Sequence, residues 1–290
     1  MLLSKRKTRP GAKTRASLLR VEDGIAQPKR DDLVTEEPLE IRLEVEGRRS
    51  KVEGQRQTVA VTMRTPGHDF ELAAGFLFAE GVIRGREEIR RIAYCTDEGE
   101  LQQYNIVNLE LRFPILPDLS PLDRHFFTNS ACGVCGKSGL ENLRLRGYKP
   151  LEPGFTVPAG IVSSLPDTLR RHQSLFANTG GLHAAALFDK QGKLLASRED
   201  VGRHNALDKL IGWALLEGKL PLSECIVLVS GRASYELAQK TLAAGIPILA
   251  AISAPSSLAV DVAKEFNLTL IGFLRGSFNL YSAPERVLLG

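Results

Sequence analysis

Cys225-Ile226-Val227-Leu228-Val229 is an unbroken apolar run, and Ser230-Gly231-Arg232-Ala233-Ser234 follows it as a small, polar, basic loop. Five apolar residues without alternation read as a strand covered on both faces, the centre of a parallel sheet. Behind the loop, Tyr235, Ala238 and Leu242 fall on one face of a helix. The grammar then repeats. Ile246 to Ile252 is a strand, Ser253-Ala254-Pro255-Ser256-Ser257 a small-residue loop, and Ala259, Val262, Ala263 and Phe266 line another helix. Leu268 to Phe273 is a last central strand, and Phe278 to Tyr281 a short one after it. Upstream, His183 to Phe188 and Leu194 to Ser197 read as a hairpin over Asp189-Lys190-Gln191-Gly192, leading to a helix that buries Leu207, Leu210, Ile211, Ala214 and Leu215. Such alternation predicts an α/β layered domain, helices packed on a mixed sheet.

Ligands of open α/β sheets sit beyond the carboxyl ends of the strands. Three of these ends carry polar, small-residue loops: Ser230 to Ser234, Ser253 to Ser257, and Leu274-Arg275-Gly276-Ser277. The first two open helices, whose free N–H groups favour anions. Arg232 and Arg275 add donors that match phosphate oxygens. Ser and Gly also serve as plain caps and turns, but three loops on one edge, two with arginine, favour a phosphate-rich ligand. Arg198-Glu199-Asp200-Val201-Gly202-Arg203-His204-Asn205 is the densest polar run beyond the N-terminus. Two readings stand side by side. Arg203 and His204 hold an anion or protonate a leaving group, or the run is a capped helix start with ion pairs.

The first half of the chain has a different pattern. Leu39, Ile41, Leu43 and Val45 alternate with charged residues as a half-buried strand, and Thr58 to Met63 forms a second, paired with it across Gly47–Gln55. Asp69 is placed to cap a helix that buries Phe70, Ala73, Ala74 and Leu77 and ends near Gly81. Arg90 to Cys95 and Tyr104 to Phe113 read as another strand pair. Pro114, Pro117 and Pro121 then break regular structure. Residues 1–30 carry nine Lys/Arg against Glu22 and Asp23, a net +7, which leaves −3 for the rest of a chain whose total is +4. With no aromatic residues among the charges, the segment reads as a disordered solubilising tail rather than a nucleic-acid contact. The expected organisation is a basic tail (1–30), an α+β domain (31–120), a connecting loop (121–155) and an α/β domain (156–290).

That loop holds Cys132-Gly133-Val134-Cys135-Gly136-Lys137. Two thiols three residues apart serve a zinc site, a redox pair or a sulfur carrier. A structural zinc needs two more ligands in a pair. Cys95 and Cys225 are isolated, and the five histidines form no ligand-spaced pair, so no metal site is expected. A thioredoxin-like pair sits where a strand enters a helix; Arg124 to Ser130 is a poor strand, and Gly139 weakens a helix directly after the thiols. A persulfide carrier needs only one accessible thiolate and a helper. Arg124, His125 and Lys137 favour the thiolate form.

The chain has 290 residues, enough for one large core or two domains. No apolar run spans a bilayer, and the basic N-terminus lacks an apolar segment behind it. Those features predict a cytoplasmic protein with reduced thiols.

Together these stretches resemble the formate dehydrogenase accessory sulfurtransferases, the FdhD/NarQ family. The likeness runs from Glu36-Glu37-Pro38-Leu39 through Met63-Arg64-Thr65-Pro66-Gly67, Gly75-Phe76-Leu77, Cys132 to Lys137 and Gly180-Gly181-Leu182-His183-Ala184-Ala185. It continues through Arg198 to Lys209, Ser230 to Ser234, Ser253 to Ser257 and Ile271 to Arg275. The resemblance implies a sulfur carrier. A cysteine desulfurase loads Cys132 as a persulfide, Cys135 assists, and the sulfur passes to molybdenum bis(molybdopterin guanine dinucleotide), or its tungsten form. That cofactor then enters the catalytic subunit of a formate dehydrogenase. Phe273, Leu274, Arg275, Gly276, Ser277 and Phe278 would contact the cofactor, with Arg232, Ser234, Arg203 and His204 from the loops above. A homodimer fits the family. So does a C-terminal αβα layer similar to cytidine deaminases, though zinc deamination does not fit: His183-Ala184-Ala185 lacks the proton-moving Glu, Cys132 and Cys135 precede the histidine, and Ala131 stands where Pro would. A rival within the same binding chemistry is a non-catalytic chaperone that only protects the cofactor.

Overall fold

Asp23 and Gly24, both at positive φ (49° and 78°), turn the chain between strands β1 (Lys13–Glu22) and β2 (Ile25–Val34). The computed structural model describes residues 9–45, 55–96, 103–112, 115–117, 119 and 136–290, side chains at 55, 136–139, 142 and 174 apart. The expected disordered tail is therefore corrected over residues 13–30, which form most of an antiparallel hairpin. The basic excess ends within β2, where Asp31 and Asp32 follow Arg30. Asp32 on that strand faces Arg15, with ion-pair distances of 3.5 Å to Arg15 and 3.6 Å to Lys13. Asp-Gly is a turn whose two positive φ angles match the twist of paired strands.

A four-stranded sheet follows, in the order β4-β3-β6-β5, from β3 (Glu37–Val45), β4 (Gln55–Arg64), β5 (Ile89–Tyr94) and β6 (Ile106–Leu111). Both predicted strand pairs are present, joined because β3 also runs parallel to β6. Helix α1 (Asp69–Ala79) covers the sheet with Leu72, Ala73 and Leu77 against Leu39, Ile41, Leu43 and Leu109. Asp69 does not cap it. The cap position is His68, in left-handed conformation, and Asp69 is the first helical residue. Its carboxylate instead accepts from buried Arg64, Nε at 3.0 Å and Nη2 at 3.1 Å, and from the Tyr94 hydroxyl at 2.8 Å.

Helix α2 (Gly136–Leu145) begins directly after the second cysteine of the motif. The expectation that Gly139 weakens a helix there is thus corrected; the isolated cost of a helical glycine, about 1 kcal/mol, is outweighed where Leu143 is buried in the core. Two further helices were not expected: α3 (Ala159–His172), following the short strand β7 (Val157–Pro158), and α4 (Ser174–Thr179).

The second half alternates as its sequence predicts. β8 (His183–Phe188) and β9 (Leu194–Asp200) form the hairpin, then come α5 (Arg203–Leu216), β10 (Ile226–Val229), α6 (Tyr235–Ala243), β11 (Ile248–Ala251), α7 (Ser257–Glu265), β12 (Thr269–Arg275) and β13 (Ser277–Ser282). A final short strand, β14 (Val287–Leu288), pairs with β7. The mixed sheet has the order β13-β12-β11-β10-β8-β9, with β10, β11 and β12 parallel. Alternate residues face opposite layers. Val227, Val229, Leu249 and Ala251 pack under α5, α6 and α7, whereas Ile226, Leu228, Ile248 and Ala250 pack with Val162, Leu165 and Leu169 of α3. Cover on both faces is why these strands read as continuous apolar runs. Each fully buried Leu or Ile contributes about 1.5–3 kcal/mol.

Candidate functional site at the strand ends

Three loops at the carboxyl edge of the six-stranded sheet are tied into one surface. Ser256 N–H donates to the Ala233 carbonyl at 2.9 Å, Ser253 N–H to Gly231 at 3.4 Å and Phe273 N–H to Ser253 at 3.1 Å. Ala233 and Pro255 form a parallel bridge. Ser234 and Ser256 cap α6 and α7, their hydroxyls accepting from Leu237 N–H at 3.5 Å and Ala259 N–H at 3.2 Å. The capping and anion readings of these serines are compatible, because a capped helix still presents its other free N–H groups.

Phe273 holds a left-handed conformation at φ 55° and exposes 47% of its surface. A bulky residue there is strained. Close packing fixes the turn: a Cβ on the preceding Gly272 would lie 2.8 Å from Pro255 Cδ and 3.0 Å from Tyr281 Cε2. Arg275 is exposed, with its Nε donating to the Ile252 carbonyl at 3.2 Å, and Gly276 at φ 80° turns the chain into β13. Ser277 is exposed and Phe278 half-buried, whereas the Leu274 side chain is buried in the core beneath the edge. Arg232 is exposed on the first loop.

Arg203 and His204 open α5 at the same edge. His204 Nε2 lies 2.7 Å from Glu236 Oε2 and 3.3 Å from Ser234 Oγ, so the first turns of α5 and α6 meet there. The hydrogen bond with His204 pulls the Glu236 carboxyl down to about 2. Glu236 was not singled out in the sequence; an acid in the first turn of a helix is commonplace, and only the crossing of the two helices pairs it with His204.

His183 arrives by a different route. β8 runs antiparallel to β10 with Ala185 opposite Val229, so the start of β8 stands at the edge where β10 ends. Burial holds the His183 imidazole below its ordinary range, and Arg203 and His204 push the same way, against Asp200.

The rest of the Arg198–Asn205 run is structural. Asp200, fully buried, pairs with Lys209 at 2.6 Å and accepts from Thr65 N–H at 3.1 Å, Gly202 N–H at 2.8 Å and Asn205 Nδ2 at 3.1 Å. Lys209 donates to the Thr65 carbonyl at 2.9 Å and Asn205 to the Met63 carbonyl at 2.7 Å. Arg198 pairs with Glu71 of α1. Glu199 receives the Leu175 and Phe176 N–H groups of α4. The ion-pair reading therefore holds for Asp200, which with Asn205 and Lys209 clamps the Met63–Thr65 segment, while Arg203 and His204 lie at the strand ends.

Cys132 and Cys135, with Arg124 and His125, lie outside the described residues. Cys225 is buried at the foot of β10, where burial pushes its thiol up to about 11. Cys95 is buried beside Arg42, with Nη1 3.9 Å from Sγ. Among the described residues, no three of His, Cys, Asp and Glu are grouped to hold a metal ion, and no helix is long and apolar enough to cross a membrane.

An α/β chain with this edge and a CxxC is of the accessory-factor class that the sequence resembles. The FdhD/NarQ family profile matches residues 34–288; the chain belongs to the FdhD/NarQ family. It is 50% identical over 282 residues to the sulfur carrier protein FdhD of Streptomyces avermitilis, covering 95% of each chain. It is 47% identical over 283 residues to that of Mycobacterium tuberculosis, covering 95% of this chain and 98% of the relative. Its fold is similar to the crystal structure of a putative formate dehydrogenase accessory protein from Desulfotalea psychrophila, with TM-score 0.71 and 26% identity over 96% of this chain and 100% of that one.

Proposed function

We propose that this chain is a sulfur carrier acting in formate dehydrogenase maturation. Its Cys132 thiolate attacks the outer sulfur of a cysteine desulfurase persulfide. The donor S–S bond breaks, the desulfurase leaves as a thiolate, and Cys132 carries the persulfide. Cys135 assists the onward transfer. The acceptor substrate is molybdenum bis(molybdopterin guanine dinucleotide), or its tungsten form, destined for the catalytic subunit of a formate dehydrogenase.

The observation that carries this reading is the laced strand-end edge. Arg203, Arg232 and Arg275, two helix N-termini and the exposed ring of Phe273 suit the phosphates and guanine of such an acceptor. The names of the relatives support the sulfur-carrying half. Helix α2 starts at the residue after Cys135 in the sequence, and a helix N-terminus favours the thiolate form of cysteines near it. The reading sets the protein in the cytoplasm, where thiols stay reduced. It takes the C-terminal layer as deaminase-like in fold, supported by helices on both faces of the mixed sheet.

The test is intact mass after incubation with a cysteine desulfurase and cysteine. One added sulfur, mapped to the peptide holding Cys132 and lost in Cys132→Ala, is the expected result. Full sulfur transfer by Cys132→Ala would sink the carrier reading and favour a protein that only shelters the cofactor.

A further inference from the structure

Gly231 lies between two groups that an added Cβ would touch. A Cβ there would stand 3.3 Å from His183 Nδ1, 3.5 Å from His183 Cε1 and 3.6 Å from Arg203 Cδ. The His183 ring and the Arg203 stem therefore flank a gap whose floor is bare backbone. Arg203 Nε is buried and has no hydrogen-bond partner among the described residues. A buried donor left unmet costs about 1–3 kcal/mol, and such a group calls for a partner that the described residues do not provide. Next to the gap, the Ser230 hydroxyl accepts from Ala184 N–H at 2.9 Å and keeps its own hydrogen free to donate.

We propose that the notch formed by His183, Gly231 and Arg203 binds a phosphoryl group of a nucleoside diphosphate moiety. The proposal rests on the reading of this edge as a cofactor site, and it names where one phosphate sits. Arg203 supplies the fixed charge, and its Nε gains the acceptor it lacks. His183 supplies a ring N–H. Before anything binds, a neutral imidazole avoids repelling the guanidinium beside it.

A second consequence separates this notch from an ordinary basic patch. The charged groups facing His183 are Arg203 and His204, which disfavour its protonation, and Asp200, which favours it but is itself paired with Lys209. Glu236 is engaged with His204. A bound phosphate adds negative charge beside His183 and so raises its proton affinity. Binding then takes up a proton, and affinity rises as pH falls.

Calorimetry on the full chain tests this with GDP, inorganic pyrophosphate and guanosine, in phosphate-free buffers of differing ionisation enthalpy. Expected are binding of GDP and pyrophosphate but not guanosine, proton uptake on binding, and loss of that uptake in His183→Gln with affinity reduced about tenfold or more. Gly231→Ala, which needs no new buried polar group, should weaken pyrophosphate while leaving the melting temperature within a few degrees. Unchanged proton uptake and affinity in His183→Gln overturn the notch, as does uptake that survives there but disappears in His204→Gln. Sulfur loading of Cys132 is followed in the same preparations. Loading with normal GDP binding but no effect of His183→Gln removes the notch and leaves the carrier reading intact. A wild-type chain that binds neither GDP nor pyrophosphate removes the cofactor site and the notch together. Proton-coupled binding without sulfur loading keeps the notch and removes the carrier.

Discussion

Gly75 of α1 and Gly212 of α5 meet backbone to backbone. A Cβ on Gly75 would fall 2.7 Å from Gly212 N and inside the radius of the Asp208 carbonyl oxygen; one on Gly212 would fall 2.8 Å from Gly75 N and against the Glu71 carbonyl. Neither glycine has a positive φ, so the requirement is space, not conformation. This crossing presses the helix of the four-stranded sheet onto the helix that carries Arg203 and His204. Leu215 of α5 accordingly belongs to the first core, while Leu210, Ile211 and Ala214 of the same helix pack in the second. Gly75→Ala or Gly212→Ala should cost about 3 kcal/mol or more, because backbone cannot move aside as a side chain does. Gly160→Ala in α3, where added atoms meet nothing, should be neutral or stabilising by up to about 1 kcal/mol. Denaturant midpoints of the variants check both, and equal effects at the three positions would contradict the crossing.

The Asp200–Lys209 pair is the second link between the halves. Both side chains are nearly fully buried. Lys209→Met leaves the Asp200 carboxylate without its charge partner, and a loss of about 3–5 kcal/mol is expected in urea unfolding. Recovery of the lost stability in the double variant Asp200→Asn, Lys209→Met would identify the uncompensated charge as the cause.

Cys225 should resist alkylation. Burial and then the nearby charges of Asp189 and Glu224 push its thiol up to about 11, so thiolate is scarce at pH 8. Peptide mapping after iodoacetamide should show labelling of Cys132 and Cys135 first, with Cys225 reacting only once the chain is unfolded. Fast labelling of Cys225 in the folded protein would count against its burial.

Glu236 gives a pH dependence of known sign. Its folded value of about 2 lies below the ordinary 4.5. The carboxylate therefore contributes stability in full above about pH 4.5 and loses it as pH falls toward 2. Its side chain is 58% exposed, so solvent screens the pair and the effect is small. Glu236→Gln should flatten the acid limb of the stability profile without changing the neutral plateau greatly; an identical acid limb in both proteins would refute the pairing with His204.

At the hairpin, Gly24 sits at φ 78° with open space around it. Gly24→Val therefore acts through the backbone alone, at about 1–2 kcal/mol for a residue forced left-handed. Limited proteolysis should cut between β1 and β2 sooner in the variant while the six-stranded sheet stays protected.

The sequence by itself determined the elements of the C-terminal layer. Ile226–Val229, Ile248–Ala251 and residues 269–272 are covered on both faces, so their burial is written as apolar runs, and the polar loops that follow must lie at one edge of a parallel sheet. The candidate cofactor residues Arg232, Ser234, Arg275 and Ser277 were legible for that reason, and the family was legible in dense blocks such as Arg198–Lys209. Only the tertiary structure decided which residues of such a block do what. Spacing along a chain does not say that Asp200 and Lys209 reach back to Thr65, that Glu236 crosses to His204, or that an antiparallel β8 delivers His183 beside Gly231. Local pattern likewise hid the β1–β2 hairpin, because its strands are exposed on most positions and carry no apolar alternation; the Asp23-Gly24 turn was its one local mark. Periodicity records which face of an element is buried, whereas a site is made by elements distant in sequence, and the contacts that join them are fixed only when the layers pack.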